Sequence, residues 1–369
     1  MIKVLEMFGE PIISGGQESF VNNVLMNIDM SQLKIDYFTP YYCDNDIYKK
    51  NIELRGGCVY EAKLPFNPGG SRKNITIPLD KLLKKNCYDV IHIHSGSVSV
   101  LKYASKIAKK NKVQKIIVHS HSPAEHETVK HILSKLLAYH ALNNYPTNYL
   151  ACSIGAAKWK FPKKIANNET KIIKNGINLS AFKTNDLVRS QLRKQLGIKQ
   201  NEFVIGHVGR FSREKNQNYL IDLLKELSLQ KREYKLLLVG NGELLEESKQ
   251  YAIENNLANK ILFLGNISNV NEIMQVMDIF VLPSLYEGLP LVGVEAQAVG
   301  LRMIASTNVS EELKLTNLIS FCSLNNTQEW IDVIENTAIG YRQNTLEQLK
   351  EVGFDILDTV SKIKELYIE

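Results

Sequence analysis

Short apolar runs recur along the chain, each followed by a glycine-rich or small polar loop and then by apolar residues spaced three and four apart. In the first half the runs cover residues 2–5, 34–38, 58–61, 89–94, 116–121, 149–153 and 171–174. In the second half they cover 203–208, 236–239, 261–264, 279–282 and 303–305. Bounded apolar runs of this length predict buried strands, and the three-and-four spacing predicts helices. Their alternation predicts an α/β protein on parallel sheets, because parallel neighbours need a crossover between them.

Three helical stretches bear on function. From Gln17 onward, Phe20, Val21, Val24, Leu25 and Ile28 share one face behind the loop 11–16. Residues 125–142 set Val129, Ile132, Leu133, Leu136 and Leu137 among Lys130, His131, Lys135 and His140. Such a helix either packs against its own domain or lies on an anionic membrane. From Leu291, Val294 and Ala298 recur until Gly300, a residue suited to a helix C-cap.

A chain of 369 residues is long for one core and predicts two domains, with the polar stretch 178–201 as a connector and the boundary near residue 177. Apolar residues make up 44% and charged residues 23%, the balance of an ordinary globular protein. No apolar run approaches the roughly 18–20 residues that cross a bilayer, and the N-terminus reads as a first strand, not a targeting segment. The five cysteines are odd in number and scattered without a CxxC pair, which predicts a reduced, cytoplasmic setting with no disulfide framework or zinc site. Charge is uneven: residues 1–185 carry 26 Lys and Arg against 14 Asp and Glu, the remainder 19 against 25. The basic half suits an anionic partner such as a membrane face or a phosphorylated acceptor, or is simply solvated. No helix-turn-helix, RNA-binding or zinc-finger pattern points to nucleic acid.

Candidate chemistry gathers at strand ends. Glu287 stands in the turn before the helix that starts at Leu291, and Glu295 stands within that helix, seven residues intervening. A helix start offers unpaired N–H groups and positive potential to a phosphate, and the two carboxylates can accept bonds from hydroxyl pairs. They can equally be a capping residue and a solvated one. Gly209, Arg210 and Lys215 follow residues 203–208, and two cations there can neutralise a diphosphate or remain solvated. Gly15 and Gly16 let a backbone approach a ligand closely, although neither a GxGxxG nor a P-loop pattern is present. His119 and His121 fall on one face of their strand, with His121 at the rim where ligands bind. Either can bond a sugar hydroxyl or a phosphate, or be structural. No metal-ligand spacing accompanies them.

These signals fall in an order that resembles the retaining GT-B glycosyltransferases of family four. It runs through Gly15-Gly16, VHSH at 118–121, ACS at 151–153 and NGIN at 175–178. It continues with VGRFSREKN at 208–216, LLLVGNGE at 236–243, FLG at 263–265 and PSLYEGLPLVGVEAQAVGL at 283–301. The match spans nearly the whole chain and is most specific in the second half; ACS with KWKF at 158–161 is similar to exopolysaccharide and capsule enzymes.

The resemblance implies two Rossmann-like domains with parallel sheets facing across a cleft. Residues 1–176 would serve the acceptor, 177–345 would bind the nucleotide sugar, and 346–369 would return as a helix onto the first domain. Arg210 and Lys215 would clamp the diphosphate, Glu295 the ribose and Glu287 the transferred sugar. Backbone groups at Gly288, Leu289 and Leu291 would meet sugar and phosphate, with Gly265 and Asn266 bordering the base. Gly16 would approach the phosphates, and His121 would lie by the donor sugar. A UDP- or GDP-sugar would be the donor, a glycan or lipid-linked molecule the acceptor, with retention of configuration and neither metal nor separate cofactor. The inner membrane face is the implied working place. Arg302, Gly293 and Asn178 depart from the family's usual proline, aliphatic residue and aspartate. A nicotinamide-dependent oxidoreductase and a non-catalytic subunit of a glycosyltransferase complex are the alternatives.

Overall fold

The computed structural model describes residues 1–13, 15–121 and 129–369. It divides into two compact units, Met1–Ile177 with Asp355–Glu369, and Asn178–Phe354. The first contains β1 (Ile2–Phe8), β2 (Leu33–Thr39), β3 (Val59–Glu61), β4 (Val90–His94), β5 (Lys115–Ser120), β6 (Asn148–Ala151) and β7 (Thr170–Ile172). Every pairing is parallel, in the order β3-β2-β1-β4-β5-β6-β7. The second contains β8 (Phe203–Val208), β9 (Tyr234–Val239), β10 (Ile261–Phe263), β11 (Ile279–Leu282), β12 (Arg302–Ser306) and β13 (Ile319–Cys322), again parallel, in the order β10-β9-β8-β11-β12-β13.

The strands are continuous apolar runs because helices cover both faces of such a sheet. β4, β8 and β11 are buried along their whole length. Phe20, Val21, Val24, Leu25 and Ile28, the predicted face of the helix Gly16–Asn27, are all buried against the first sheet. Each predicted strand is present within a few residues of its expected ends. The edge strand β13 was not foreseen: its ISFC sequence is short and its middle residues are only half-buried.

Two expectations need correction. Residues 346–369 do not form one returning helix. The helix Leu346–Glu351 belongs to the second unit and the helix Ile356–Ile368 to the first. Gly353, at φ 84°, breaks the run, and Asp355 caps the second helix by accepting from the Leu357 N–H. The helix Val129–Asn144 does not bury its predicted apolar face (residues 125–128 of the expected helix lie outside the described residues). Val129, Ile132, Leu133, Leu136 and Leu137 are exposed, Leu137 by 72%, while Ala138, Ala141 and Leu142 make the buried seam.

In each sheet the order reverses once, between β1 and β4 and between β8 and β11. Loops leaving the carboxyl ends of strands diverge there, and ligands of open α/β sheets bind in the crevice this leaves.

Candidate active site

At the reversal in the second sheet, the loop after β8 carries Gly209, Arg210 and Lys215, and the loop after β11 carries Glu287 to Pro290. The two loops are tied by main-chain and side-chain bonds. The Leu285 N–H donates to the Glu214 carbonyl at 2.8 Å, and the Asn216 amide to the Pro283 carbonyl at 3.1 Å. Asn216 has φ 56°, a left-handed conformation that asparagine tolerates, and this turns the chain into the helix Gln217–Leu227.

Lys215 Nζ lies 2.7 Å from Glu287 Oε1, and both side chains are largely buried. Ser284 donates to the same carboxylate oxygen, and the Ser310 N–H to the Glu287 carbonyl. Glu287 is thus held from three sides. Arg210 is differently placed: its exposed guanidinium bonds Glu243 Oε2 at 2.9 Å, while its carbonyl accepts from the Gln217 amide. Sequence reasoning missed Glu243, Ser284 and Gln217, since nothing in their own spacing marks them as partners of Arg210 or Glu287.

The glycine after β9 closes the loop from below. Gly240 has φ 131°, and a Cβ on it would meet the Gly209 carbonyl at 2.0 Å, so only glycine fits. Its N–H donates to the carbonyl of Gly265, which itself has φ 63°. The Gly265-Asn266 turn is thereby fixed beside Gly209, with Asn266 exposed.

Across the same crevice the helix Leu291–Ala298 begins after Pro290. Gly288, Leu289 and Leu291 are half-buried at its start. Glu295 is half-buried, and no side chain among the described residues bonds its carboxylate. Burial alone pushes its pKa up to about 7. Gly293 packs closely under Leu313: a Cβ there would come within 2.9 Å of the Leu313 methyl groups, so a larger residue requires that side chain to move. Gly300, at φ 79°, ends the helix as expected.

In the first unit the reversal brings the loop after β1 to the loop after β4. Glu10 accepts from Ser95 Oγ at 2.9 Å and from the Gly96 N–H and Gln17 amide at 3.3 Å. Gly15 and Gly16 are exposed there, and a Cβ on Gly16 would touch nothing in the protein. His121 lies one residue beyond β5, half-buried, its Nε2 2.7 Å from His94 Nδ1. His119 is fully buried and bonds His92, so of the two histidines it is the structural one. Three rings that the sequence did not group, His92, His94 and His119, place a nitrogen each within 4.8 Å of one another.

The crevice of the second unit therefore presents cations, a helix start and two carboxylates around one strand-order reversal. Residues 188–331 match the family model described as glycosyl transferases group 1. Over 307 residues the chain is 31% identical to the UDP-Gal:alpha-D-GlcNAc-diphosphoundecaprenol alpha-1,3-galactosyltransferase of Escherichia coli, covering 79% of this chain and 78% of that one. The chain belongs to the group 1 glycosyl transferases. EpsF of Bacillus subtilis, also named as a glycosyltransferase, is 29% identical over 96% of this chain and 93% of its own. The crystal structure of HepE of Anabaena with UDP superposes with a TM-score of 0.76 at 20% identity, covering 99% of each chain. As a group 1 glycosyl transferase this chain has the GT-B fold.

Proposed function

We propose that the protein transfers a hexose, with retention, from a UDP-sugar to a lipid-linked or other glycan acceptor of a surface polysaccharide. The carrying observation is the Lys215–Glu287 pair at the β8/β11 reversal, set against the start of the helix Leu291–Ala298. The E. coli relative is named for UDP-Gal and a diphosphoundecaprenol-linked acceptor, and HepE was solved with UDP, which supports a uridine nucleotide over guanosine.

In this reading Lys215 and Arg210 neutralise the diphosphate, Arg210 exchanging Glu243 for phosphate oxygens. The N–H groups of Gly288, Leu289 and Leu291 complete the anion site. Glu295 receives the ribose hydroxyls, and Gly209, Gly265 and Asn266 border the nucleoside. Glu287 orients the sugar. Its bonds to Lys215 and Ser284 suit a positioning group and not a nucleophile. The bond from the sugar's C1 to the departing phosphate oxygen breaks with its electron pair leaving on UDP. The acceptor hydroxyl attacks C1 from the same face, and its proton passes to the departing phosphate. The protein supplies alignment and charge stabilisation, a role assigned here to cationic side chains and not to a metal.

A peripheral membrane contact belongs to the same reading. Among the described residues no helix is long and apolar enough to cross a membrane. The helix Val129–Asn144 instead exposes Ile132, Leu136 and Tyr139 along a groove shared with Lys135 and Lys163, and cations beside apolar side chains suit an anionic lipid face. Such a site would hold the enzyme at the cytoplasmic face, beside a lipid-linked acceptor. A transfer assay across UDP-sugars with mass detection tests the function: a new glycoside from one of them is expected, and oxidation of a substrate by NAD would point to the oxidoreductase alternative.

A further inference from the structure

The loops that follow β2 and β3 leave the carboxyl edge of the first sheet, the edge at which open α/β sheets receive ligands. Tyr41 stands two residues beyond β2, and residues 62–72 lead from β3 to the short helical turn Lys73–Ile75. That loop, AKLPFNPGGSR, is bent by its own sequence. Pro68 and Gly69, the latter at φ 80°, form a turn closed by the Gly70 N–H on the Asn67 carbonyl at 3.0 Å. The turn sends the chain back on itself, and Arg72 comes to lie over the Phe66 ring.

Arg72 is 8% exposed, yet no carboxylate among the described residues pairs with it. Its guanidinium carbon lies 4.9 Å from the Phe66 ring centroid and 5.5 Å from that of Tyr41, and the two rings meet edge to face at 4.9 Å. Nη1 donates to the Tyr41 hydroxyl at 2.6 Å. Arg193, the other arginine buried to this degree, is neutralised by Asp278 at 3.2 Å. Aromatic faces attract a cation without neutralising it, and a guanidinium kept largely from water ordinarily takes an anion. Nε and Nη2 of Arg72 make no bond to the protein and are open to solvent, unlike the sealed Nε atoms of Arg55 and Arg342. These two N–H groups lie along one edge of the guanidinium, the edge that takes two oxygens of a carboxylate or phosphate at once. With Nη1 tied to Tyr41 and two rings against the plane, that edge is fixed in direction before a ligand arrives.

The charge of the loop separates the two kinds of anion. Residues 62–73 carry Lys63, Arg72 and Lys73 and no acidic residue, and both lysines are exposed. Glu61, the acid just before them, is already engaged by Lys49 at 3.2 Å and by the Cys43 N–H. Three cations without a free carboxylate suit a diphosphate better than a single carboxylate.

Resting on the glycosyltransferase reading, in which Lys215 and Arg210 take the donor's diphosphate, we propose that Arg72 binds the second diphosphate of the reaction, that of a lipid-linked acceptor. Its Nε–H and Nη2–H bond two oxygens of one phosphate, and Lys63 and Lys73 lend charge to the other. Arg72 thereby selects acceptors that carry a diphosphate over the same molecules without one, and it takes no part in the bond changes of transfer.

The test is calorimetric titration of geranyl diphosphate, beside geraniol, into the full-length protein with UDP present. Saturable binding of the diphosphate and none of the alcohol is expected. Arg72→Met should weaken that binding about tenfold or more, leave UDP affinity within about twofold and hold or raise the Tm, since it removes a cation that has no anion. Arg72→Lys keeps the charge and the stacked stem but lacks the fork, and should weaken binding about threefold or more. Wild-type affinity in either variant overturns the proposal, as does equal binding of diphosphate and alcohol. Phosphatidylglycerol vesicles supply the other source of phosphate. Vesicle sedimentation lost in Arg72→Met while geranyl diphosphate binds unchanged would assign the fork to a membrane headgroup and overturn the acceptor role. A wild type that binds geranyl diphosphate through Arg72 yet transfers no sugar sinks the functional reading alone. One that transfers sugar but binds no prenyl diphosphate sinks this inference alone.

Discussion

Lys215 and Glu287, 72 residues apart in sequence, form a 2.7 Å ion pair that joins the loops leaving β8 and β11. The pair stores a cation and a carboxylate at one point of the crevice. In the proposed function diphosphate would draw on the first and sugar hydroxyls on the second, so that donor binding would exchange one set of partners for another.

Lys215→Ala should therefore lower transfer by about a hundredfold or more, on the scale seen when one donor to developing charge is removed. Stability should fall by only ~1 kcal/mol, because the pair is partly solvated. Activity and thermal unfolding on the same preparation check this; an active variant rejects the clamp.

Glu295 gives a pH signature. Its pKa is raised to about 7 by burial, and ribose hydroxyls donate best to the ionised form. Binding then releases a proton below pH 7, so UDP affinity should rise with pH toward about 7 and level off above it. The limiting slope is about tenfold per pH unit. Titration calorimetry from pH 5.5 to 8.5 reads the profile, and Glu295→Gln should flatten it.

Stability should respond to pH through the histidines. His92, His94, His119, His121 and His207 all have depressed pKa values in the fold, His207 at about 4. Their stabilising contribution is complete above the unfolded value of about 6.5 and is lost as pH falls toward the folded values. Glu6, Glu18 and Glu295 are raised and act in the opposite sense, but they are fewer. The Tm should fall between pH 7.5 and 5, and a Tm that holds or rises would contradict the neutral buried network.

Gly240→Ala should destabilise the second unit by roughly 2 kcal/mol or more, since the new methyl meets the Gly209 carbonyl at a backbone φ of 131°. The shift displaces the Gly209-Arg210 loop, so UDP affinity should drop with stability. Denaturant unfolding and UDP titration test the two effects together.

The exposed helix Val129–Asn144 makes a separate prediction. Leu136→Glu with Leu137→Glu should abolish salt-sensitive binding to anionic vesicles and leave the Tm nearly unchanged, because both side chains are already in water. Vesicle sedimentation in which wild type and variant bind alike removes the membrane contact.

What the sequence made legible follows from distance along the chain. Strands and their loops are local patterns, so the alternation at 203–208, 236–239 and 279–282 revealed the second sheet, and Gly300 marked its helix end. The polar side-chain contacts are not local. Glu243 reaches Arg210 across 33 residues and Glu6 reaches Tyr367 across 361, so the partners become visible only when the sheets bring them together. The helix Val129–Asn144 failed differently. Its apolar spacing was read correctly, but spacing cannot tell whether a face is covered, and among the described residues of the helix only the alanine seam and Leu142 are buried.

The central claim is that the β8/β11 crevice holds a uridine nucleotide sugar. Calorimetric titration of UDP into the full-length protein tests it most directly, beside NAD and the variants Lys215→Ala and Glu295→Ala. Saturable one-to-one binding of UDP is expected, weakened about tenfold or more in each variant, with no heat from NAD. Absence of UDP binding, or NAD binding in its place, would contradict it.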